Sequence, residues 1–309
     1  MASPLPPSPV GVHVRAPAKI NLALKVGAPR PDGYHPLATV YHAVSLYDDV
    51  HAEWAEPDEF ELEVSGEGVQ DVPLDDNNLA LRAARLLARV HGGRDRLGVK
   101  LTIRKAIPVA AGLAGGSADG AAALLACATL WDMDLAPEAL RHLGGELGSD
   151  VPFALLGGTA VGGGRGEDVA PALAKGSYHW VLAFGFQGLS TPAVYRAFDR
   201  LNPDPSPPEV PPDLMNALRG GDPYELGAAL TNDLQPAALS LRPALRRVLD
   251  TGLELGAVGA VVSGSGPTCA FLVEDEEEAV DLSISLSAEG VARKVLRASG
   301  PVVGARVVG

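Results

Sequence analysis

Residues 107–126 read IPVAAGLAGGSADGAAALLA, built almost wholly from Gly, Ala and Ser with one carboxylate, Asp119, among them. Small residues bury little area, and ordered glycines cost backbone entropy. Such a run suits a place where two backbones pack very closely, or where something other than protein must approach the chain. The preceding GVKLTIRK alternates as a strand does, and AGGSADGAAALLACATLW is spaced as a helix. Between them lies a Pro–Gly loop, so Gly115, Gly116 and Ser117 fall in the first turn of the helix.

The free N–H groups of a helix's first turn and its dipole favour an anion. Glycines there let phosphate oxygens reach backbone that a Cβ would screen. Ser117 adds a hydroxyl able to touch phosphate or its accompanying metal. A second reading stays open beside this one, in which Ala118, Ala121 and Ala122 pack closely against a neighbouring helix. The two are compatible, since 121–126 can pack while the loop binds. The Walker loop is excluded, because no Gly-Lys-Ser/Thr closes the run. No G-x-G-x-x-G opens the helix either, which argues against a dinucleotide fold.

Composition narrows the function classes. The chain has 309 residues, 47% of them hydrophobic, enough for one large domain or two ordinary ones. Its formal net charge of −13 opposes general affinity for nucleic acid or anionic membranes. Twelve carboxylates lie from Asp48 to Asp76, whereas Arg96 to Ala118 has no acid and carries Lys100, Arg104 and Lys105. Bases therefore coincide with the small-residue run, as expected of an acidic protein handling a small anion. Cys127 and Cys269 both sit among apolar residues and read as buried thiols of a reducing compartment. The N-terminus MASPLPPSPVG resembles no signal peptide, and no apolar run reaches membrane-span length. A cytoplasmic protein with a disordered tail over 1–10 is expected.

Elsewhere VHVRA, INLALKV, LATVYHAVSLYDDVHAEW, FELEV, TAVGG and HWVLAF read as strands, with PDGYH as a turn. NNLALRAARLLARVHGG has an Asn at its start and Gly at its end, the marks of a helix, and PEALRHLGGEL reads as another. Past residue 175 the pattern restarts with the Pro-rich NPDPSPPEVPPD, then helical DPYELGAAL and RPALRRVLDTGLELG, strands AVGAVVSG and TCAFLV, and helical EEEAVDLSISLSAEG. The expectation is an α+β chain of two domains, 1–175 and 176–309, with a cleft between them and helices on one face of mostly antiparallel sheets.

The motif P-x-x-x-G-L-x-G-G-S-A-D entering a helix resembles the second motif of the galactokinase, homoserine kinase, mevalonate kinase and phosphomevalonate kinase (GHMP) superfamily. RAPAKINLAL resembles its first motif and VVSGSGPTCAFL its glycine-rich third, in the same order over essentially the whole chain. The resemblance implies an N-terminal nucleotide-binding domain like ribosomal protein S5 domain 2 and a C-terminal ferredoxin-like α/β sandwich. PAKINLAL followed by RPDGYHPLATVYHAVSLYD, together with GSDVPFALLGGTAVGGGRGE, is similar to a narrower family, the 4-diphosphocytidyl-2-C-methyl-D-erythritol kinases. That family transfers the ATP γ-phosphate, with Mg²⁺ present, to the 2-hydroxyl of the methylerythritol moiety in non-mevalonate isoprenoid synthesis. A homoserine- or mevalonate-type kinase, or a non-catalytic ligand sensor on the same fold, are the alternatives.

Site residues follow from the resemblance. Asp150 matches the general base and Lys19 the active-site lysine that keeps the base charged. ATP would lie on Pro108, Val109, Ala110, Ala111, Gly112, Leu113, Ala114, Gly115, Gly116, Ser117 and Ala118, with Asn78 and Lys105 near the adenine. No metal ligand is fixed beyond Ser117 as a candidate. The cytosine would sit between Tyr34 and His35 on one side and Tyr195 on the other, with Asn21 and Thr191 as polar contacts. Taken singly, Asp150 also reads as a helix or turn cap, Lys19 and Lys105 as solvated lysines, Asn78 as a helix cap, DGYH as a turn and Tyr195 as a half-buried helix aromatic. The chain would act on a small molecule as a monomer or homodimer. Two departures stand out. Ala110, Ala111 and Ala114 replace glycines of the motif and should avoid positive φ, and Asp119 replaces a common Asn and should point away from the nucleotide or meet Mg²⁺ through water.

Overall fold

The computed structural model describes residues 11–91 and 96–308. The expected tail over 1–10, and Gly92 and Gly93 at the end of the first helix, lie outside the described residues. In chain order the elements begin with β1 (Val12–Val26), β2 (Leu37–Trp54), β3 (Phe60–Gly66), α1 (Leu79–His91), β4 (Val99–Lys105) and α2 (Gly115–Leu130). Next come α3 (Pro137–Leu147), α4 (Val151–Leu156), β5 (Thr159–Gly163), β6 (Asp168–Pro171) and β7 (Tyr178–Phe184). The remainder comprises α5 (Thr191–Leu201), α6 (Pro212–Gly220), α7 (Pro223–Ala229), β8 (Thr231–Asn232), α8 (Gln235–Leu241), α9 (Ala244–Glu254), β9 (Gly259–Val262), β10 (Cys269–Val273), α10 (Glu276–Glu289), β11 (Lys294–Gly300) and β12 (Arg306–Val307).

Two sheets organise these elements. The larger runs β12-β1-β2-β4-β3, with β5 paired to β2, β6 to β5 and β8 to β1. Its pairs are antiparallel except β3–β4 and β1–β8. The smaller is β11-β7-β10-β9, antiparallel throughout. Although β8 and β12 come late in the chain, both pair with β1.

VHVRA and INLALKV, read as two strands, form one continuous β1 with register shifts at Pro17/Ala18 and Asn21/Ala23. Proline cannot donate to the ladder, so a shift beside Pro17 keeps the strand paired without that bond. Lys19 and Asn21, two residues apart, leave β1 on the same face.

The body of α2 realises the packing reading of the small-residue run. Ala118, Ala121, Ala122 and Ala123 have no exposed surface, and a Cβ at Gly120 would lie 3.2 Å from the Cβ of Leu79 on α1. A helix apolar on every side belongs in the centre of a fold. It packs there against α1, α3, α4, β1 and β2.

The Pro-rich stretch holds a helix the sequence pattern hid. Pro212 is the first residue of α6, where its fixed φ and missing N–H cost nothing. Among the described residues no helix is long and apolar enough to cross a membrane.

Candidate active site

The three motifs meet at one point. Gly112, φ 78°, brings its carbonyl to Lys19 Nζ (3.2 Å) and Ser263 Oγ (3.0 Å). A Cβ at Gly112 would stand 2.2 Å from the Ser263 carbonyl oxygen, so neither the angle nor the space admits another residue. Gly264 follows at φ 58°, its missing Cβ leaving room 3.4 Å from Lys19 Nζ. Lys19 also donates to Asn21 Oδ1 at 2.7 Å, and Asn21 Nδ2 donates to Thr39 Oγ1 at 2.8 Å. This chain of bonds fixes the ammonium in place.

Asp150 approaches from the opposite side, its Oδ2 3.9 Å from Lys19 Nζ. It stands at the start of α4 but its side chain caps nothing there. The carboxylate is thus left to the cavity. Burial lowers the pKa of Lys19, and the nearby Asp150 offsets only part of that shift.

A cavity of about 740 Å³ opens over this junction. Its wall includes Lys19, Asn21, Tyr34, His35, Asn78, Lys105, Asp150, Thr191 and Tyr195, together with Pro108, Val109, Ala110, Ala111, Gly112, Ala114, Gly115 and Gly116. Seventeen expected site residues are brought together here. Three others sit apart. Leu113 and Ala118 point their side chains into the core, and Ser117 is half-buried on the first turn of α2. Leu113 still serves the loop through its carbonyl, which accepts from the Lys19 backbone N–H at 3.2 Å.

The alanine expectation fails at two positions. Ala110 has φ 52° and Ala114 φ 59°, both in the left-handed region, while Ala111 stays out of it. Ala114 is the residue that turns the chain into α2, and that turn needs a positive φ whichever residue occupies it. For a residue with a Cβ this conformation costs about 1–2 kcal/mol. The surrounding bonds to Lys19 and Ser263 hold the loop in that shape.

Lys105 is no solvated lysine. It is 4% exposed, donates to Asp119 Oδ2 at 2.7 Å, and is bonded on its other side to Asp48 Oδ2. Asp48 Oδ1 in turn accepts from the backbone N–H groups of Ala106 (2.6 Å) and Ile107 (2.9 Å). A chain of contacts Asp48–Lys105–Asp119 therefore ties β2, the start of the loop before α2 and α2 itself. Burial works against the Lys105 charge, but the two carboxylates outweigh it and raise its pKa. Asp119 is pushed up to about 8, chiefly by burial, with Asp48 adding to the rise and Lys105 opposing it. Its side chain faces Lys105, and its Oδ1 is buried without a hydrogen-bond partner.

At the other end of the cavity, His35 Nε2 lies 2.7 Å from Asp199 Oδ1, and the His35 and Tyr195 rings stand 4.9 Å apart at 40°. Tyr34 is exposed, with the Arg165 guanidinium 5.1 Å above its ring. Thr191 Oγ1 is 2.8 Å from Ser265 Oγ. Asn78 acts as a helix start, its Oδ1 accepting from Ala80 N at 2.9 Å. Sequence reasoning missed Asp48, Arg165 and Asp199. Only Asp199 left a signal, standing one helical turn after Tyr195 and so on the same face of α5.

The family model for the GHMP kinases N terminal domain matches residues 78–158, and that for the GHMP kinases C terminal domain matches 214–292. The chain belongs to the GHMP kinases. This GHMP kinase is 54% identical over 301 residues to 4-diphosphocytidyl-2-C-methyl-D-erythritol kinase of Mycolicibacterium smegmatis, covering 96% of the chain and 92% of the relative. It is 53% identical over 310 residues to the enzyme of that name from Thermobifida fusca, covering 97% and 99%. A solved 4-(cytidine 5'-diphospho)-2C-methyl-D-erythritol kinase superposes with TM-score 0.74 at 34% identity, over 93% of this chain and 98% of that one. Homoserine kinase from Cytophaga hutchinsonii superposes with TM-score 0.75 at 17% identity over the whole of both chains, a likeness of fold alone.

Proposed function

We propose that this GHMP kinase transfers the γ-phosphate of ATP to the 2-hydroxyl of 4-diphosphocytidyl-2-C-methyl-D-erythritol. The observation that carries this reading is the pairing of Lys19 with Asp150, 3.9 Å apart, within one cavity that also holds the His35–Tyr195 pair. A phosphoryl acceptor alcohol needs a group for its proton and a cation for the charge it develops. Asp150 takes the proton as the oxygen bonds to phosphorus, and Lys19 stabilises the oxygen as charge builds. The loop from Pro108 to Ala118 receives the triphosphate with backbone N–H groups at the start of α2, and Asn78 and Lys105 flank the nucleotide. Tyr34, His35 and Tyr195 hold the cytosine, and Asn21 and Thr191 hold the polyol.

Mg²⁺ fits this donor set. An ion that arrives on nucleotide phosphates needs few protein oxygens. Ser117, on the first turn of α2 next to Gly116 of the cavity wall, is the side chain that would hold it. Bound there, the ion would neutralise charge on the transferring phosphate. The same proposal keeps residues 1–175 as the nucleotide-binding domain and 176–309 as the second domain, in a cytoplasmic monomer or homodimer.

Steady-state assays test the reading. ATP should be consumed only when the cytidylyl substrate is added, and Asp150→Ala should abolish turnover while ATP binding, followed by calorimetry, survives. Clean use of homoserine or mevalonate in place of the cytidylyl substrate would overturn it.

A further inference from the structure

Asp199 lies on α5, one turn beyond Tyr195, and both side chains engage the same residue. Tyr195 stacks on the His35 ring at 4.9 Å, Asp199 Oδ1 meets Nε2 at 2.7 Å, and Phe198 closes the edge at 6.2 Å and 80°. A carboxylate can only accept, so the His35 proton nearest α5 sits on Nε2. The imidazole side chain is only 7% exposed, and His35, Tyr195 and Asp199 all line the large cavity. Nδ1 has no hydrogen-bond partner among the described residues.

The rest of the base slot is far looser. Tyr34 is 54% exposed, with the Arg165 guanidinium 5.1 Å above its ring. His35 is thus the rigid wall, and its rigidity comes from α5. We propose that Asp199 is a positioning residue for the base-binding end of the substrate: it locks the tilt and proton position of His35 before the base arrives. The inference rests on the assignment of the His35–Tyr195 slot to the cytosine. Pre-setting the ring lowers the ordering cost of binding, so Asp199 acts on substrate affinity and not on the transfer step.

Asp199→Ala tests this in the intact enzyme. KM for the cytidylyl substrate should rise about ten- to hundredfold, the loss of a hydrogen bond to a charged group, while kcat and KM for ATP stay near wild type. Asp199→Asn, whose amide oxygen still accepts from Nε2–H, should recover most of the loss. ¹⁵N spectra of the His35 ring in ligand-free protein should show the Nε2–H form in wild type and a mixture of tautomers in Asp199→Ala. An unchanged KM for the cytidylyl substrate in Asp199→Ala overturns the inference, as does a rise in both KM values together. A wild-type enzyme inert toward that substrate instead overturns the substrate assignment, and the ring spectra separate the two failures.

Discussion

Two lysines sit at opposite ends of the loop before α2, both almost fully buried, and their surroundings push them in opposite directions. Lys105 lies between Asp48 and Asp119, and its pKa is raised. Lys19 has one carboxylate at 3.9 Å, a carbonyl and an amide oxygen, and its pKa is lowered. A buried cation held between two carboxyl groups is already satisfied and has little to offer a ligand. One left short of counter-charge stabilises whatever negative oxygen comes next to it. The difference separates a residue that ties the loop down from one whose charge stays open to the cavity.

The comparison breaks most visibly at Lys105. Lys105→Met leaves Asp48 and Asp119 as buried carboxylates without a cation, and breaking such a pair costs about 3–5 kcal/mol. Denaturant titration should show that loss, and the double variant Lys105→Met/Asp119→Asn should recover part of it because one orphaned buried carboxyl group is gone. Full stability in Lys105→Met would mean that this chain of contacts does not anchor the loop.

Lys19→Met should do the reverse. Removing a cation already disfavoured by burial should cost little stability, yet kcat should fall about 10²–10³-fold through loss of charge stabilisation at the transferring group. The pH behaviour carries the same sign. Because the folded-state pKa of Lys19 lies below the ordinary 10.5, the unfolded chain binds more protons between those two values. Wild-type stability therefore rises with pH across that window, and Lys19→Met loses the rise. Activity should fall on the alkaline side below pH 10.5, as the ammonium that the proposed transfer uses is lost. Melting curves and pH–rate profiles on both proteins measure the two effects.

How much of this could be read beforehand depends on the range of the interaction. The small-residue run announced both the loop and the helix, because Gly and Ala leave a local pattern, and α2 spans the residues so marked. Lys19 and Asp150 were named from their motifs and meet in one cavity. The partners of Lys105 were hidden: Asp48 comes from another strand and is one of twelve carboxylates in an acidic stretch, with nothing local to single it out. The start of α6 was concealed by the prolines that make a good first turn. Backbone angles at Ala110 and Ala114 were misjudged for a related reason. Local preference disfavours positive φ for alanine, but the entry into α2 and the bonds at Gly112 decide the loop's path.

The smallest effect concerns that loop, which runs between the two lysines. Ala114 holds φ 59° at the entry to α2, where glycine has no Cβ penalty. Ala114→Gly should relieve about 1–2 kcal/mol of backbone strain in the folded state. Glycine also frees the unfolded chain, which gives back about 0.4–1 kcal/mol. The net gain should be on the order of 1 kcal/mol or less, read as a rise of a few degrees in the melting temperature. Gly112→Ala at the neighbouring turn is the contrasting change, since its Cβ would meet the Ser263 carbonyl oxygen at 2.2 Å and pry the second and third motifs apart. If Ala114→Gly lowered stability instead, the left-handed alanine would not be strained, and the loop's shape would owe less to Lys19 and Ser263 than their bonds to Gly112 imply.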